Sequence, residues 1–374
     1  MRSKWEEIAQ SIQYEIECGG LNAGDRLPTE KELAALWSVA RMTVHRAMDD
    51  LQRRGLVVRK RRLGTVVAEP APAKRSVVGM LFFHTNDFPQ ADYIHGIRSA
   101  LPDAVHLLFC DTGNDAAREA DYLDQMRSLA DAIICYPTCA PSNTAQMNRI
   151  IRSGFPLVCV DRVPEGVCGD AVVTDNYGSS HRALRTLQQQ GHRHIALFCY
   201  DEMEVSSARE RYEAYCRTMA DSGYEDASPW VRKLPRGAGY DLAKMTGIVH
   251  DALFTLLRQP QPATAVFCED DYILAAVLEA CHRLGLHPPH DLSILSFNDC
   301  PAFIPRLTDG VNRLAQQTQV MGRIAAERLQ RRMAGETFPN EVLSVPALFY
   351  PAVEKSRPAA PHVVLSRSAE IAAY

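Results

Sequence analysis

RMTVHRAMDDLQRRGLVVRKRRLGTVV, residues 41–67, places Arg53, Arg54, Arg59, Lys60, Arg61 and Arg62 within ten positions, with no acidic residue among them. The 374-residue chain carries a net charge of −4, so this basic density is local. Val44, Met48 and Leu51 recur at helical spacing and predict a helix from about Arg41 to Arg54 with those three facing inward, stopped by Gly55. LVVRKRRLGTVVA then reads as two β-rich runs around a basic turn. Upstream, Thr29 and Glu32 have the spacing of a capping box, opening a helix whose buried face is expected from Leu33, Leu36 and Trp37. Ser38-Val39-Ala40 breaks it. Earlier still, Ile8, Ile12 and Ile16, with Trp5 one turn before, predict an amphipathic helix ending at Gly19-Gly20. Two short helices separated by about three residues and followed by a basic hairpin form a winged helix-turn-helix. Its second helix suits a major groove, with Arg41, Met42, Thr43, His45 and Arg46 as candidate readers. Lys60, Arg61 and Arg62 on the wing suit phosphates or the adjacent minor groove.

The charge asymmetry agrees. Residues 1–68 balance to +3 and the remainder to −7, so only the first module is suited to a polyanion. A chain of this length holds more than one core. Its 46% hydrophobic and 23% charged residues are those of a globular protein. It has no apolar run long enough to span a membrane and no signal-peptide pattern at its start, and the expectation is a cytoplasmic protein. The eleven cysteines are scattered through apolar segments without a CxxC pair and read as reduced core thiols.

Ala68–Ser76 (AEPAPAKRS) reads as an extended tether. The expected organisation is a DNA-binding module over 1–68, a linker over 69–76, a large domain over 77–352 and a flexible tail over 353–374. From Val77 onward, apolar strands alternate with helices: VVGMLFF, AVHLLFCDT, DAIICYP, PLVCVDR, AVVTD, HIALFCY, AVFCED and LSILSFND are the strands. Such alternation predicts α/β architecture with parallel sheets flanked by helices, and the strand count predicts two lobes. Ligands of such sheets bind beyond the C-terminal strand ends. Polar residues gather there: Asp87, Asp161, Arg162, Asp175, Asn176, Glu269, Asp270, Asn298 and Asp299 among them. Carboxylates and amides converging on a cleft suit a polyhydroxylated ligand. Chain crossings between the lobes are expected near Asp175-Asn176 and near Pro301–Leu307.

Two resemblances sharpen this reading. LxxGDRLPTEKELA…VARMTVHRAMDDLQRRGLV…GTVV, covering nearly all of residues 4–68, resembles the winged helix of GntR-type transcription regulators. The resemblance puts DNA contacts on Lys31, Arg41, Thr43, His45 and Gly64-Thr65. Ala40, His45 and Arg62 depart from the Ser or Thr, Arg and Gly that the family often has there. VDRVP…VVTDNYGSSHRALRTLQQQGHRHIAL…SSARERYEAY…AVFCEDDYILAAVLEACHRLGLHPPHDLSILSFND resembles the effector domain of LacI-type repressors, which share the fold of periplasmic sugar-binding proteins. That resemblance covers roughly 77–352 and implies that Asp161, Arg211, Tyr240, Asp270 and Asn298 line the cleft, Arg211 contacting the effector. The chimeric layout is like that of arabinose repressors.

Enzyme motifs are missing: there is no GxSxG, GxxxxGK[ST], HExxH or GxGxxG. His192 with His194, and His282, His287 and His290, lack the further ligands of a metal site. Neither catalysis nor a cofactor is expected. The function implied is a repressor-type regulator, partnered by double-stranded operator DNA and a sugar-like effector, acting as a homodimer. The rival is a cytosolic sugar-binding or sugar-modifying protein whose basic head binds no operator.

Overall fold

The computed structural model describes residues 3–60, 63–68, 76–82, 88–235, 241–297 and 310–353. The chain divides into two compact units, Met1–Ser76 and Val77–Tyr374. The Glu69–Arg75 part of the tether and residues 354–374 of the expected tail lie outside the described residues. Among the described residues no helix is long and apolar enough to cross a membrane.

The first unit contains α1 (Lys4–Glu17), α2 (Glu30–Leu36), α3 (Arg41–Arg53) and the antiparallel strands β1 (Val57–Lys60) and β2 (Gly64–Val67). Thr29 opens α2 as expected. Its hydroxyl accepts from the Glu32 amide at 3.3 Å, and the Glu32 carboxylate accepts from the Thr29 amide at 2.7 Å. Ile8, Ile12, Leu33, Val44, Met48 and Leu51 form one core, with Trp5, Ile16 and Trp37 packed at its margin. Leu36 departs from the expectation: it is 75% exposed. A seven-residue helix turns only two of its apolar positions toward α3, and Leu36 falls on the far side. Lys60 pairs with Gly64 across the hairpin, where Gly64 holds φ +88°, a left-handed value that a side chain would strain.

The second unit has two lobes. The first is a sheet of order β13-β7-β6-β5-β3-β4, from β3 (Val77–Phe82), β4 (His106–Asp111), β5 (Ala132–Cys135), β6 (Leu157–Val160), β7 (Asp170–Thr174) and β13 (Val342–Val345), all parallel. Strand residues alternate between two cores. Val78, Met80 and Phe82 face α4 (Phe88–Ala100) and α11 (Thr318–Met333), whereas Leu81, Ile133 and Cys159 face α5 (Ala116–Leu129) and α6 (Pro141–Arg152). The second sheet runs β14-β12-β11-β10-β8-β9, from β8 (Ile195–Tyr200), β9 (Val231–Leu234), β10 (Ala265–Cys268), β11 (Ser293–Phe297), β12 (Asn312–Ala315) and β14 (Leu348–Tyr350). Only β14 pairs antiparallel there. In this lobe α7 (Asn176–Gln189) packs beside α8 (Ser206–Asp221), and α9 (Leu242–Leu257) beside α10 (Asp271–Arg283).

The chain therefore passes between the lobes at Asp175, at Gln316-Gln317 and at Pro346-Ala347. The first crossing is where the sequence places it. The second expectation, near Pro301–Leu307, falls on a segment outside the described residues. After it the chain continues in the second lobe as β12, paired with β11, and crosses only beyond Ala315. β9, β12, β13, β14 and α11 have no counterpart in the sequence reading.

Helices α4 and α11 meet backbone to backbone. A methyl group on Gly322 would overlap the Tyr93 carbonyl, and one on Gly96 would overlap the Gln319 carbonyl. Backbone cannot step aside as a flexible side chain does. Gly322→Val is expected to cost about 1–3 kcal/mol or more and to lower the melting temperature by about 2–4 °C for each kcal/mol. Calorimetry of the full chain checks this, and an unchanged melting temperature would contradict the close crossing.

Candidate functional site

On the first unit, Arg41 and His45 lie one turn apart on α3, with Asp49 one turn further. The Glu30 carboxylate at the start of α2 reaches both: Arg41 Nε at 3.3 Å and His45 Nδ1 at 2.8 Å. His45 Nε2 is 3.4 Å from Asp49, and Arg59 on β1 binds Asp49 at 2.7 Å and Glu30 at 3.4 Å. The hydrogen bond from His45 holds the Glu30 carboxyl below its ordinary range despite some burial, and Arg41 adds to the effect. Lys31 is exposed beside Glu30 on α2. Met42 is 72% exposed at the same end of α3. Thr43 is half-buried, its amide bonded to the Ala40 carbonyl at 2.9 Å. Arg46 turns elsewhere, its guanidinium 4.6 Å above the Trp5 ring of α1. Gly64 and Thr65 are on β2. Arg61 and Arg62 lie outside the described residues.

In the second unit the strand ends of the two lobes converge. Asp161 follows β6 with φ +68°, an uncommon backbone state for a residue other than glycine. Its carboxylate accepts from the hydroxyl of partly buried Tyr136 at 2.5 Å and lies 3.4 Å from Arg162 Nε, Asp161 and Arg162 themselves being buried. The Arg162 guanidinium also lies 4.9 Å from the Tyr136 ring centre. Burial by itself would favour the neutral guanidine, but Tyr136 and Asp161 hold Arg162 firmly charged.

Arg211 enters from the second lobe on α8 and is buried. It donates from Nε to Asn176 Oδ1 at 2.9 Å and from Nη1 to the Glu269 carbonyl at 2.8 Å, and it stacks 3.7 Å over Phe297 at the end of β11. Asp270 lies two residues beyond β10 and caps α10, accepting from the Ile273 amide at 2.9 Å. The lobes touch: the Val163 amide donates to Ser206 Oγ at 3.0 Å. Charge from both lobes acts on the same pair of phenols. Burial first, then Asp161, raises Tyr93 and Tyr136 well above the ordinary phenol value, while Arg162 from the first lobe and Arg211 from the second oppose the rise. The geometry thus brings Asp161 and Arg211 to one region, with Asp270 at a neighbouring strand end. Asp87, Tyr240 and Asn298 lie outside the described residues.

Tyr93, Tyr136 and Phe297 belong to this constellation and were not singled out from sequence. Tyr136 directly follows β5, so the strand-end rule reaches it; a search for carboxylates, amides and cations passes over a phenol.

Residues 4–67 match the bacterial regulatory proteins of the gntR family, and residues 184–350 match the periplasmic binding protein-like domain. The head is a GntR-type regulatory domain, and the body is periplasmic-binding-protein-like. The arabinose metabolism transcriptional repressor of Geobacillus stearothermophilus is 24% identical over 314 residues, 79% of this chain and 82% of that protein. A LacI-family transcriptional regulator from Enterococcus faecium, solved with bound ribose, shares the fold at a TM-score of 0.61 and 18% identity, covering 75% of this chain and all of that one. The transcriptional regulator CelR, solved with cellobiose, gives 0.62 at 20% identity, covering 87% and 99%.

Because Tyr93 and Tyr136 hold their protons more tightly when folded than when unfolded, their contribution is intact below pH 10 and is lost as pH rises above it. Stability in denaturant titrations is expected to fall as pH climbs past that value. Tyr136→Phe should flatten this slope and, by taking a donor from buried Asp161, cost about 1–3 kcal/mol at neutral pH. An unchanged slope would place Tyr136 outside the buried charge cluster.

Proposed function

We propose that this protein is a transcription regulator of the repressor type, whose affinity for operator DNA is set by a sugar or sugar derivative held between its two lobes. The observation that carries the reading is the joining, in one chain, of a GntR-type head to a two-lobed body in which the segment after Asp161 of one lobe hydrogen-bonds, through the Val163 amide, to Ser206 on the helix that carries Arg211 in the other. A carboxylate, a guanidinium and aromatic faces at one cleft are the groups that hold a polyhydroxylated ring. The relatives support a sugar: one regulates arabinose metabolism, and two structural neighbours hold ribose and cellobiose.

On this reading Arg41, Lys31, Thr43 and His45 meet the major groove, and Arg61, Arg62, Gly64 and Thr65 place the wing. Arg46, stacked on Trp5, stiffens the head where α1 meets α3. Asp161, Arg211 and Asp270, with Asp87, Tyr240 and Asn298, contact the effector. A ligand touching both lobes favours the closed form, because only closure completes both sets of contacts. The coupling to DNA is of the order of 1–3 kcal/mol. We further propose a homodimer, since one small winged helix reads a short half-site and two-fold operators match two-fold proteins. Leu108 and Phe109, exposed on edge strand β4, are apolar surface available to a second copy.

Two variants separate the functions. Arg41→Ala should lose about 1–3 kcal/mol of operator affinity and keep effector binding. Arg211→Ala should bind operator as wild type and no longer respond to effector. Paired calorimetry and DNA titration check both, and wild-type effector affinity in Arg211→Ala would overturn the cleft assignment. Sedimentation should show a dimer; a monomer both free and with DNA would contradict the two-fold reading.

A further inference from the structure

The reading face of α3 does not present bare cations. Arg41, His45 and Arg59, from two different elements, each lie within ion-pair distance of Glu30, and His45 and Arg59 also reach Asp49. Two carboxylates therefore offset three basic side chains on the surface read here as entering DNA. Asp49 and Arg59 also tie α3 to the wing strand β1 at 2.7 Å.

We infer that Glu30 and Asp49 are specificity-determining residues of the head, which hold Arg41, His45 and Arg59 away from phosphates until the correct bases displace them. The inference rests on the proposal that α3 enters the major groove. Random duplex offers phosphates throughout but no set of base edges matched in register to these side chains. A cation that leaves a carboxylate for a phosphate exchanges one ion pair for another, and the abandoned carboxylate then faces a negatively charged groove. That exchange gains little, so binding to random sequence stays weak. A matching site offers more: paired acceptors on a guanine edge for Arg41, and a cytosine amino group that donates to a displaced carboxylate. Carboxylates set among the readers thus penalise wrong sequences more than the right one, and a difference of affinities is what specificity consists of. Glu30 is suited to this because it stays ionised, its proton affinity lowered first by the His45 hydrogen bond.

The test uses the full chain, Glu30→Gln and Asp49→Asn, and a 30-base-pair duplex of random sequence, titrated between about 50 and 200 mM salt, where phosphate contacts show most strongly. Each amide substitution is expected to tighten random-duplex binding by about five- to tenfold and to steepen the logarithmic salt dependence by about one, the value for one further phosphate contact. The preference for an upstream operator fragment over the random duplex should shrink to match. In the Asp49→Asn background, Arg59→Gln should return random-duplex affinity toward wild type, because the released cation is then gone. Random-duplex affinity and salt slope that stay at wild-type values in both folded variants, or weaken, would overturn the inference and leave the carboxylates as structural ties. If Glu30→Gln lowers the head's melting temperature, Asp49→Asn decides alone, its carboxylate being half-exposed on the solvent side of α3. No binding of any duplex by wild type even at 50 mM salt would instead overturn the DNA reading on which the inference stands.

Discussion

The crossing of α4 and α11 at Gly96 and Gly322 fixes the plan of the larger unit. Backbone meets backbone there, so α11 seats in the first lobe although it follows β12 of the second. Its seating makes the chain cross back, and β13, then β14, makes it cross again. Three strands of chain at one edge leave the two lobes with one easy relative motion, a rotation about that edge. A cleft that binds by closing needs such a restriction, since a ligand can shift only an equilibrium between defined states.

The crossings are tied to the candidate site by hydrogen bonds. Arg211 grips Asn176 at the start of α7, Asn176 Nδ2 donates to the Thr174 carbonyl at 3.0 Å, and Thr174 Oγ1 donates to Gln316 Oε1 at 2.9 Å. The Asp175 amide donates to the Val345 carbonyl at 2.8 Å. Arg211 is thus anchored on two of the three crossings, and the third lies one bond away. A connected, largely buried polar network of this kind favours one arrangement, because breaking its bonds is costly in a low-dielectric interior. The same network that positions Arg211 therefore shares the region where the chain passes between the lobes.

The head was legible because its signals are local. The Thr29–Glu32 capping box and the four-residue spacing of Ile8, Ile12 and Ile16 report contacts made within a few turns. Leu36 misled because α2 is too short to bury everything apolar that it carries. In the large unit, continuous apolar strands such as AVFC and IALFCY announced themselves, being buried on both faces. Helix α11 did not. It meets its neighbours through Gly322, Ala325 and Ala326, and close backbone packing selects small residues where an amphipathic pattern would show large ones. β13 and β14 are edge strands of four and three residues, too short for their apolar residues to set up a strand period. The strand-end rule found Asp161 and Asp270, while Arg211 came only from its resemblance to SARER-type segments. Tyr136 was missed because its role is to hold a carboxylate, and that depends on a fold partner 25 residues away.

On the proposed function, one chain reads DNA at its head and a sugar at its body, and the second event controls the first. Fluorescence anisotropy of wild-type protein on tiled fragments from the region upstream of its own gene, repeated with arabinose, ribose, cellobiose and their phosphates, tests it most directly. The account predicts salt-sensitive binding to one fragment above the others, and a change of about five- to 150-fold in that affinity with at least one sugar. Binding that is equal on all fragments, or preferential binding that none of the sugars or their phosphates alters, would contradict it.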